Sequence, residues 1–196
     1  APVGIFQTDS RGNVHRVNQE MARILGASSP EEAMRRYQDL GADLYIHPER
    51  REKFLHILRE RGEVDHFEYE ARHLRGGTIW ISMNARIRQW LPDGSFLIDG
   101  FAADITERKR VEANLRESEN KFRNIFNNSS DAIFIHDLSG RFLEVNDVAC
   151  ERLGYTRQEL LGLTPMDIDG PEASRMAPER MRYLEHYGSL CFEGTQ

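Results

Sequence analysis

Near both ends of the first half of the chain, apolar residues recur at every second position, and between those ends they recur at helical spacing. That change of period predicts strands, then helices, then strands. Ile5-Phe6-Gln7-Thr8-Asp9 and Val14-His15-Arg16-Val17 read as two short strands joined by Ser10-Arg11-Gly12-Asn13, where Gly12 is free to take a positive φ. Asn18 then caps a helix carrying Met21, Ile24 and Leu25, and Gly26 ends it. Ser29-Pro30-Glu31-Glu32 opens another helix, with Ser29 at the cap, Pro30 at the first helical position and Glu32 completing a capping box. Leu40 to Ile46 fits neither period. His47-Pro48-Glu49 restarts a helix with Phe54, Leu55 and Leu58 on one face, closing near Gly62. From Phe67 the period becomes two, with Phe67, Tyr69 and Ala71 on one side. After the Arg75-Gly76-Gly77 turn, Ile79, Ile81, Met83, Ala85 and Ile87 face one way and Trp80, Ser82, Asn84 and Arg86 the other. Pro92-Asp93-Gly94 turns the chain into a last strand, Phe96 to Ala102.

Residues 104–126 break this pattern. Val111, Leu115, Ser118, Phe122 and Ile125 are separated by steps of four, three, four and three, a heptad seam on one long helix. So narrow a stripe favours pairing with a second helix over packing on a domain, with an ordinary linker helix as the alternative. Asp104 and Glu107 have the spacing of a capping box around Thr106. Glu112, Glu117 and Glu119 each precede Arg116, Lys121 and Arg123 by four residues, the favourable order for ion pairs along an exposed face.

The opening then returns. Shifted by 128 residues, Gly4 to Gly26 lies over Ala132 to Gly154 with eight identities: Ile5/Ile133, Phe6/Phe134, Asp9/Asp137, Gly12/Gly140, Val17/Val145, Asn18/Asn146, Leu25/Leu153 and Gly26/Gly154. Each has a physical role: strand packing, hairpin turn, helix cap or helix stop. Thr156 to Glu159 supplies a further capping box. Asn146-Asp147, Leu153-Gly154-Tyr155 and Gln158-Glu159-Leu160-Leu161-Gly162 resemble the first half of a PAS domain. Trp80 through Asp104-Ile105-Thr106-Glu107-Arg108 resembles the second half with its closing Asp-Ile-Thr signature. The resemblance covers nearly the whole chain. It implies an α+β fold with a five-stranded antiparallel sheet of order 2-1-5-4-3, helices on one face and a pocket between sheet and helices. The expected organisation is a first PAS domain over 1–103, a linker helix with a coiled-coil seam over 104–127, and the N-terminal part of a second PAS domain over 128–196. The helix that usually precedes a PAS core is not in this sequence, and Cys191-Phe192-Glu193 falls where the second unit's third strand should start. The chain is therefore expected to be a fragment of a longer protein.

Composition narrows the function. A net charge of −6 argues against phosphate-backbone binding, so nucleic acid is not an expected partner. The two cysteines, Cys150 and Cys191, have no disulfide or metal spacing and fit a reducing compartment; Cys150 beside Ala149 reads as a core thiol. No apolar stretch approaches the ~18 residues of a membrane span, so this segment is expected to be cytoplasmic without membrane contact, whether or not its parent is membrane-anchored. His15, His47, His56, His66, His73, His136 and His186 form no zinc-binding spacing. The resemblance implies that a haem ligand would fall near Arg51 and Arg180, and no flavin-attaching cysteine context is present, so neither haem nor flavin is expected. Phosphate-loop, nucleophile-elbow, kinase dimerisation-box and cyclase motifs are absent, so no enzyme activity is expected.

Trp80, Ser82 and Asn84 either line a pocket for a small polar ligand, with Tyr69, Phe54 and Leu58, or meet solvent or the N-terminal helix that usually precedes such a core. The resemblance implies a sensory module. Ligand or partner sensing would reach a downstream output through the linker helix and its cap, Asp104, Thr106 and Glu107. A homodimer seam of Val111, Leu115, Phe122 and Ile125 would carry the change. A histidine kinase of a two-component system is the expected output, with a diguanylate cyclase next and a ligand-free dimerisation scaffold as the competing reading. A hairpin with exposed edges is marginal on its own. A protein of these residues alone should therefore show its last ~65 residues melting separately and at lower temperature in a calorimetric scan. A single cooperative transition would contradict this.

Overall fold

In the computed structural model the structure describes residues 3–137, 139–168, 175, 176, 179, 182, 183, 186 and 187. The period-two segments form β1 (Gly4–Asp9), β2 (Val14–Val17), β3 (Glu63–Arg72), β4 (Thr78–Trp90) and β5 (Phe96–Asp104). All pairings are antiparallel and the order is β2-β1-β5-β4-β3, the order expected. Between β2 and β3 lie α1 (Gln19–Ile24), α2 (Pro30–Arg36), α3 (Leu40–Asp43) and α4 (Pro48–Arg61). The region that fitted neither period is thus α3 plus a bridge from Tyr45 to Ala71, which lays the Tyr45 ring on Tyr69 at 4.3 Å between centroids.

The core lies where the inward residues of the strands meet Met21, Leu25, Phe54 and Leu58 from the helices. Burying a side chain such as Leu58 or Phe54 stabilises the fold by about 1.5–3 kcal/mol. One contact sets the spacing at the centre of the sheet. Gly100 of β5 pairs with Phe6 of β1, and a Cβ at Gly100 would lie 2.4 Å from the Phe6 ring, so only glycine lets the ring lie across the strand. At the other edge β3 bulges between Val64 and Phe67, where His66 takes φ 51°.

Helix α5 (Thr106–Asn127) runs without a break for 22 residues. Its start differs from the expected capping box. The Ile105 carbonyl accepts the first intrahelical bond, from Lys109 at 3.0 Å, which makes Ile105 the cap. Asp104 instead accepts from the Thr106 amide at 2.8 Å and not from Glu107, because pairing with Ile81 holds Asp104 in the sheet. Of the three expected ion pairs, Glu117–Lys121 closes at 2.6 Å, whereas Glu112 turns back toward Arg108 and Lys109. The box at Ser29 is also partial: Ser29 accepts from the Glu32 amide, but the Glu32 carboxylate reaches Ser28. The box at Thr156 and Glu159 forms in full.

After α5 come β6 (Phe134–His136) and β7 (Phe142–Val145), paired antiparallel, then α6 (Asp147–Leu153), α7 (Arg157–Leu160) and α8 (Pro165–Ile168). Their core is Phe142, Val145, Ala149 and Leu160, with Cys150 packed against it. The third strand expected near Cys191 lies outside the described residues, as do Cys191 itself and Arg180. The chain divides into two compact units, 1–114 and 115–196.

The sequence repeat is a repeat of hydrogen bonds. Asp9 accepts from the amides of Arg11 and Asn13, and Asp137 from those of Ser139 and Arg141, each at 2.9–3.0 Å. Asn18 accepts from Ile5 and Met21, and Asn146 from Ile133 and Ala149. Each Asn thereby ties the first strand to the helix two elements later. Asn146, fully buried, also donates to the carbonyls of Phe126 at 2.9 Å and Asp131 at 2.8 Å. Asn146→Ala strands two buried donors and two acceptors and should destabilise the second unit by about 2–4 kcal/mol. Asn18→Ala should cost the first unit less, its partners being more exposed. Chemical denaturation followed by hydrogen exchange in each unit measures both.

Candidate functional site

Two regions of the first unit gather chemistry-bearing side chains, one on each face of the sheet. On the helix side, alternation along β1 sends Phe6 and Thr8 inward, and β3 and β4 send Tyr69 and Met83. Arg51 and Phe54, three apart on α4, lie on the same helix face and point the same way. With Tyr45 and neighbouring apolar residues they line a partly open cavity of about 30 Å³. That is room for about two water-sized groups.

The walls are apolar except at a few atoms. Arg51 is only 7% exposed, and its Nη2 donates to the Asp9 carbonyl at 3.1 Å. Its guanidinium lies 5.8 Å from the Tyr45 ring centre and 5.6 Å from that of Phe54. Such contacts contribute on the order of 1 kcal/mol each, against an unpaired-charge burial cost of several kcal/mol. Among the described residues Arg51 has no carboxylate partner. The Asp9 carboxylate is turned into the hairpin, where it is held by Arg11, by Asn13 and by His15 at 3.0 Å. Burial alone would raise the Asp9 pKa, but the bonds from Asn13, His15 and Arg11 outweigh it and keep the group below its ordinary value.

Thr8, 3% exposed, lines the same cavity with a hydroxyl that has no hydrogen-bond partner among the described residues. An orphan of this kind costs about 1–3 kcal/mol. Burial raises the Tyr45 phenol despite the nearby Arg51 cation, and it raises Tyr69 well above the ordinary value, with Tyr45 adding to the effect. Both phenols therefore stay neutral. Tyr37, pushed up to about 12 by burial, donates its hydroxyl to the Arg72 carbonyl at 2.7 Å.

The opposite face carries the start of α5. Ile105 donates to the Trp80 carbonyl and the Trp80 amide donates to the Thr106 hydroxyl, both at 2.9 Å. The Glu68 carboxylate accepts from Arg108 and, at 2.7 Å, from Lys109, whose Nζ also lies 5.1 Å from the centre of the Trp80 ring. The Lys109 ammonium and then the Arg108 guanidinium hold Glu68 below its ordinary pKa. Beyond this anchor, the stripe of α5 is open. Val111, Leu115, Phe122 and Ile125 are 57%, 60%, 48% and 75% exposed.

The six residues grouped by sequence as pocket lining separate. Phe54 and Tyr69 line the cavity, and Leu58 is buried in the core beyond it. Trp80, Ser82 and Asn84 lie on the far face of β4, a correction to the sequence reading. The Asn84 amide braces the β3 bulge, donating to Asp65 at 2.7 Å and accepting from His66, and Trp80 holds α5. Thr8 was missed, and Arg51 was read only as the place where a haem ligand would fall. Their signals were a basic residue three before Phe54 and seven before Leu58 on one helical face, and a hydroxyl in phase with Phe6 on a strand.

A family model described as PAS domain matches residues 2–107, and a second with the same description matches residues 120–185. The chain is 38% identical over 80 residues to the methyl sulfide methyltransferase-associated sensor of Methanosarcina acetivorans, a match to 40% of this chain and 8% of that one. It is 38% identical over 65 residues to sporulation kinase E of Bacillus subtilis, covering 33% of this chain and 9% of the kinase. Among solved structures, a sensory box histidine kinase/response regulator from Burkholderia thailandensis is 25% identical, covering 62% of this chain and 91% of that chain with a TM-score of 0.46. The chain spans less than a tenth of the length of the two curated relatives.

Glu68→Gln should loosen the first turn of α5 by up to about 1 kcal/mol, the pair being partly exposed, and speed amide exchange at Lys109 up to about fivefold. Because the folded pKa of Glu68 is depressed, its contribution is complete above the ordinary value of 4.5 and disappears as pH falls through the lowered value. Wild type and variant should therefore exchange alike once the solution is acid enough to protonate Glu68.

Proposed function

Because this chain belongs to the PAS domain family, we propose that it is the regulatory part of a longer signalling protein in which the first unit biases the pairing of α5 with its copy in a homodimer. The chain's part is regulatory, with no catalytic step of its own. The observation that carries the proposal is the anchoring of α5. Its first turn is held by Trp80 and Glu68 of the sensing sheet, while its apolar stripe is left open to solvent. A shift of β4 or β3 moves the helix start, and a helix exposing Val111, Leu115, Phe122 and Ile125 in heptad register has a partner of the same pattern in a second copy. Likeness to sporulation kinase E supports a kinase as the output, which we take to be a histidine kinase, and likeness to a probable diguanylate cyclase supports a diguanylate cyclase as the next choice. Among the described residues no helix is long and apolar enough to cross a membrane, and no group of His, Cys, Asp and Glu has the geometry to hold a metal ion.

The test uses cysteine cross-linking in a Cys150→Ala, Cys191→Ala background. Leu115→Cys should form an intermolecular disulfide several times faster than Arg116→Cys on the neighbouring face. Adding Thr106→Val, which removes the acceptor of the Trp80 amide, should change the Leu115→Cys rate. Equal rates at positions 115 and 116 would sink the pairing. Pairing unaffected by Thr106→Val would favour a dimerisation scaffold uncoupled from the first unit.

A further inference from the structure

We infer that the cavity between the helices and the sheet of the first unit is an anion site for a small monocarboxylate, of the size of formate or acetate, received by Arg51 and Thr8. This inference rests on the reading of the first unit as the sensing part, and it names the class of molecule sensed.

Three observations meet at one place. The first is a buried cation without a counter-ion: Arg51 has a backbone carbonyl and two ring faces around it, and the nearby Asp9 carboxylate is committed to the hairpin. A guanidinium presents a planar fork of donors that matches a carboxylate in two parallel bonds, and an oxyanion there restores the missing charge. The second is the Thr8 hydroxyl, buried in the same wall and without a partner among the described residues. It is free to donate to an oxyanion, and the phenols of Tyr45 and Tyr69 beside it are neutral. The third is size. About 30 Å³ admits a body of a few heavy atoms and excludes a flavin or a haem without rearrangement of the core. The remaining lining, including Phe6, Phe54 and Met83, offers no second cation, which selects one carboxylate on a short apolar body over a dicarboxylate or phosphate.

The experiment uses the whole 196-residue chain, desalted, with sodium formate, acetate, propionate or butyrate against sodium chloride, nitrate and phosphate at equal ionic strength. Acetate or formate should raise the melting temperature of the first unit, on the order of 10 °C at a hundred times Kd, while butyrate, chloride and phosphate should not. Isothermal titration gives Kd. Thr8→Val should fold normally and bind about tenfold more weakly. Arg51→Lys, which keeps the charge but loses the fork, should weaken binding tenfold or more. Arg51→Met should abolish binding and raise the melting temperature of the ligand-free protein, since it replaces an unpaired buried cation by an apolar chain of similar length.

No shift with any carboxylate would overturn the inference. So would a lowered melting temperature for ligand-free Arg51→Met together with an undiminished acetate response in Thr8→Val, the result expected of a purely structural arginine. Acetate binding that leaves Leu115→Cys cross-linking unchanged would uphold the anion site and sink the signalling reading. Absence of binding would leave that reading to the Thr106→Val comparison.

Discussion

The arrangement depends on two hydrogen bonds made by the backbone of one residue. The β4–β5 ladder has its last pair at Ile81 and Asp104, and the next residue, Trp80, accepts from Ile105 and donates to the Thr106 hydroxyl. The sheet thus passes its hydrogen bonding directly to the first turn of α5, with no free loop between them. Glu68, Arg108 and Lys109 reinforce the joint from the neighbouring strand, where partly exposed charges contribute modestly. Where the helix begins is consequently a property of the sheet.

That explains why the helix itself was legible in the sequence and its start was not. The heptad pattern placed one long helix after the last strand, and the structure has it from Thr106 to Asn127. The Asp104 and Glu107 spacing offered a local cap, but the strand pairing of Asp104 moved the cap to Ile105. Local signals prevail where nothing competes with them, as at Thr156 and Glu159. The repeat was legible for a stronger reason: its identities fall on the residues that tie strand, turn and helix together, and Asp9 and Asn18 make the same bonds as Asp137 and Asn146.

The site was half legible. Period two on β4 separated its two faces correctly, yet pattern alone does not say which face meets a cavity. A mixed aromatic and polar face looks like pocket lining and is, in this fold, the seat of a helix. Arg51 was not read as cavity lining because charged residues on a helix are normally solvated, and its burial follows from β1 and the Tyr45 bridge, contacts distant in sequence. The aromatic cavity residues Phe54 and Tyr69 were found because they obey the periodicity that defines a core.

The continuity of α5 makes its length a quantised variable. Each residue added to or removed from an unbroken helix turns everything beyond it by about 100° and moves it by about 1.5 Å. Seven residues return nearly to the same phase, with a drift of about 20°. An insertion of one or two residues between Val111 and Leu115 would therefore twist the stripe out of register while leaving both folded units intact. Helix length, as much as side-chain chemistry, sets the phase of the apolar stripe.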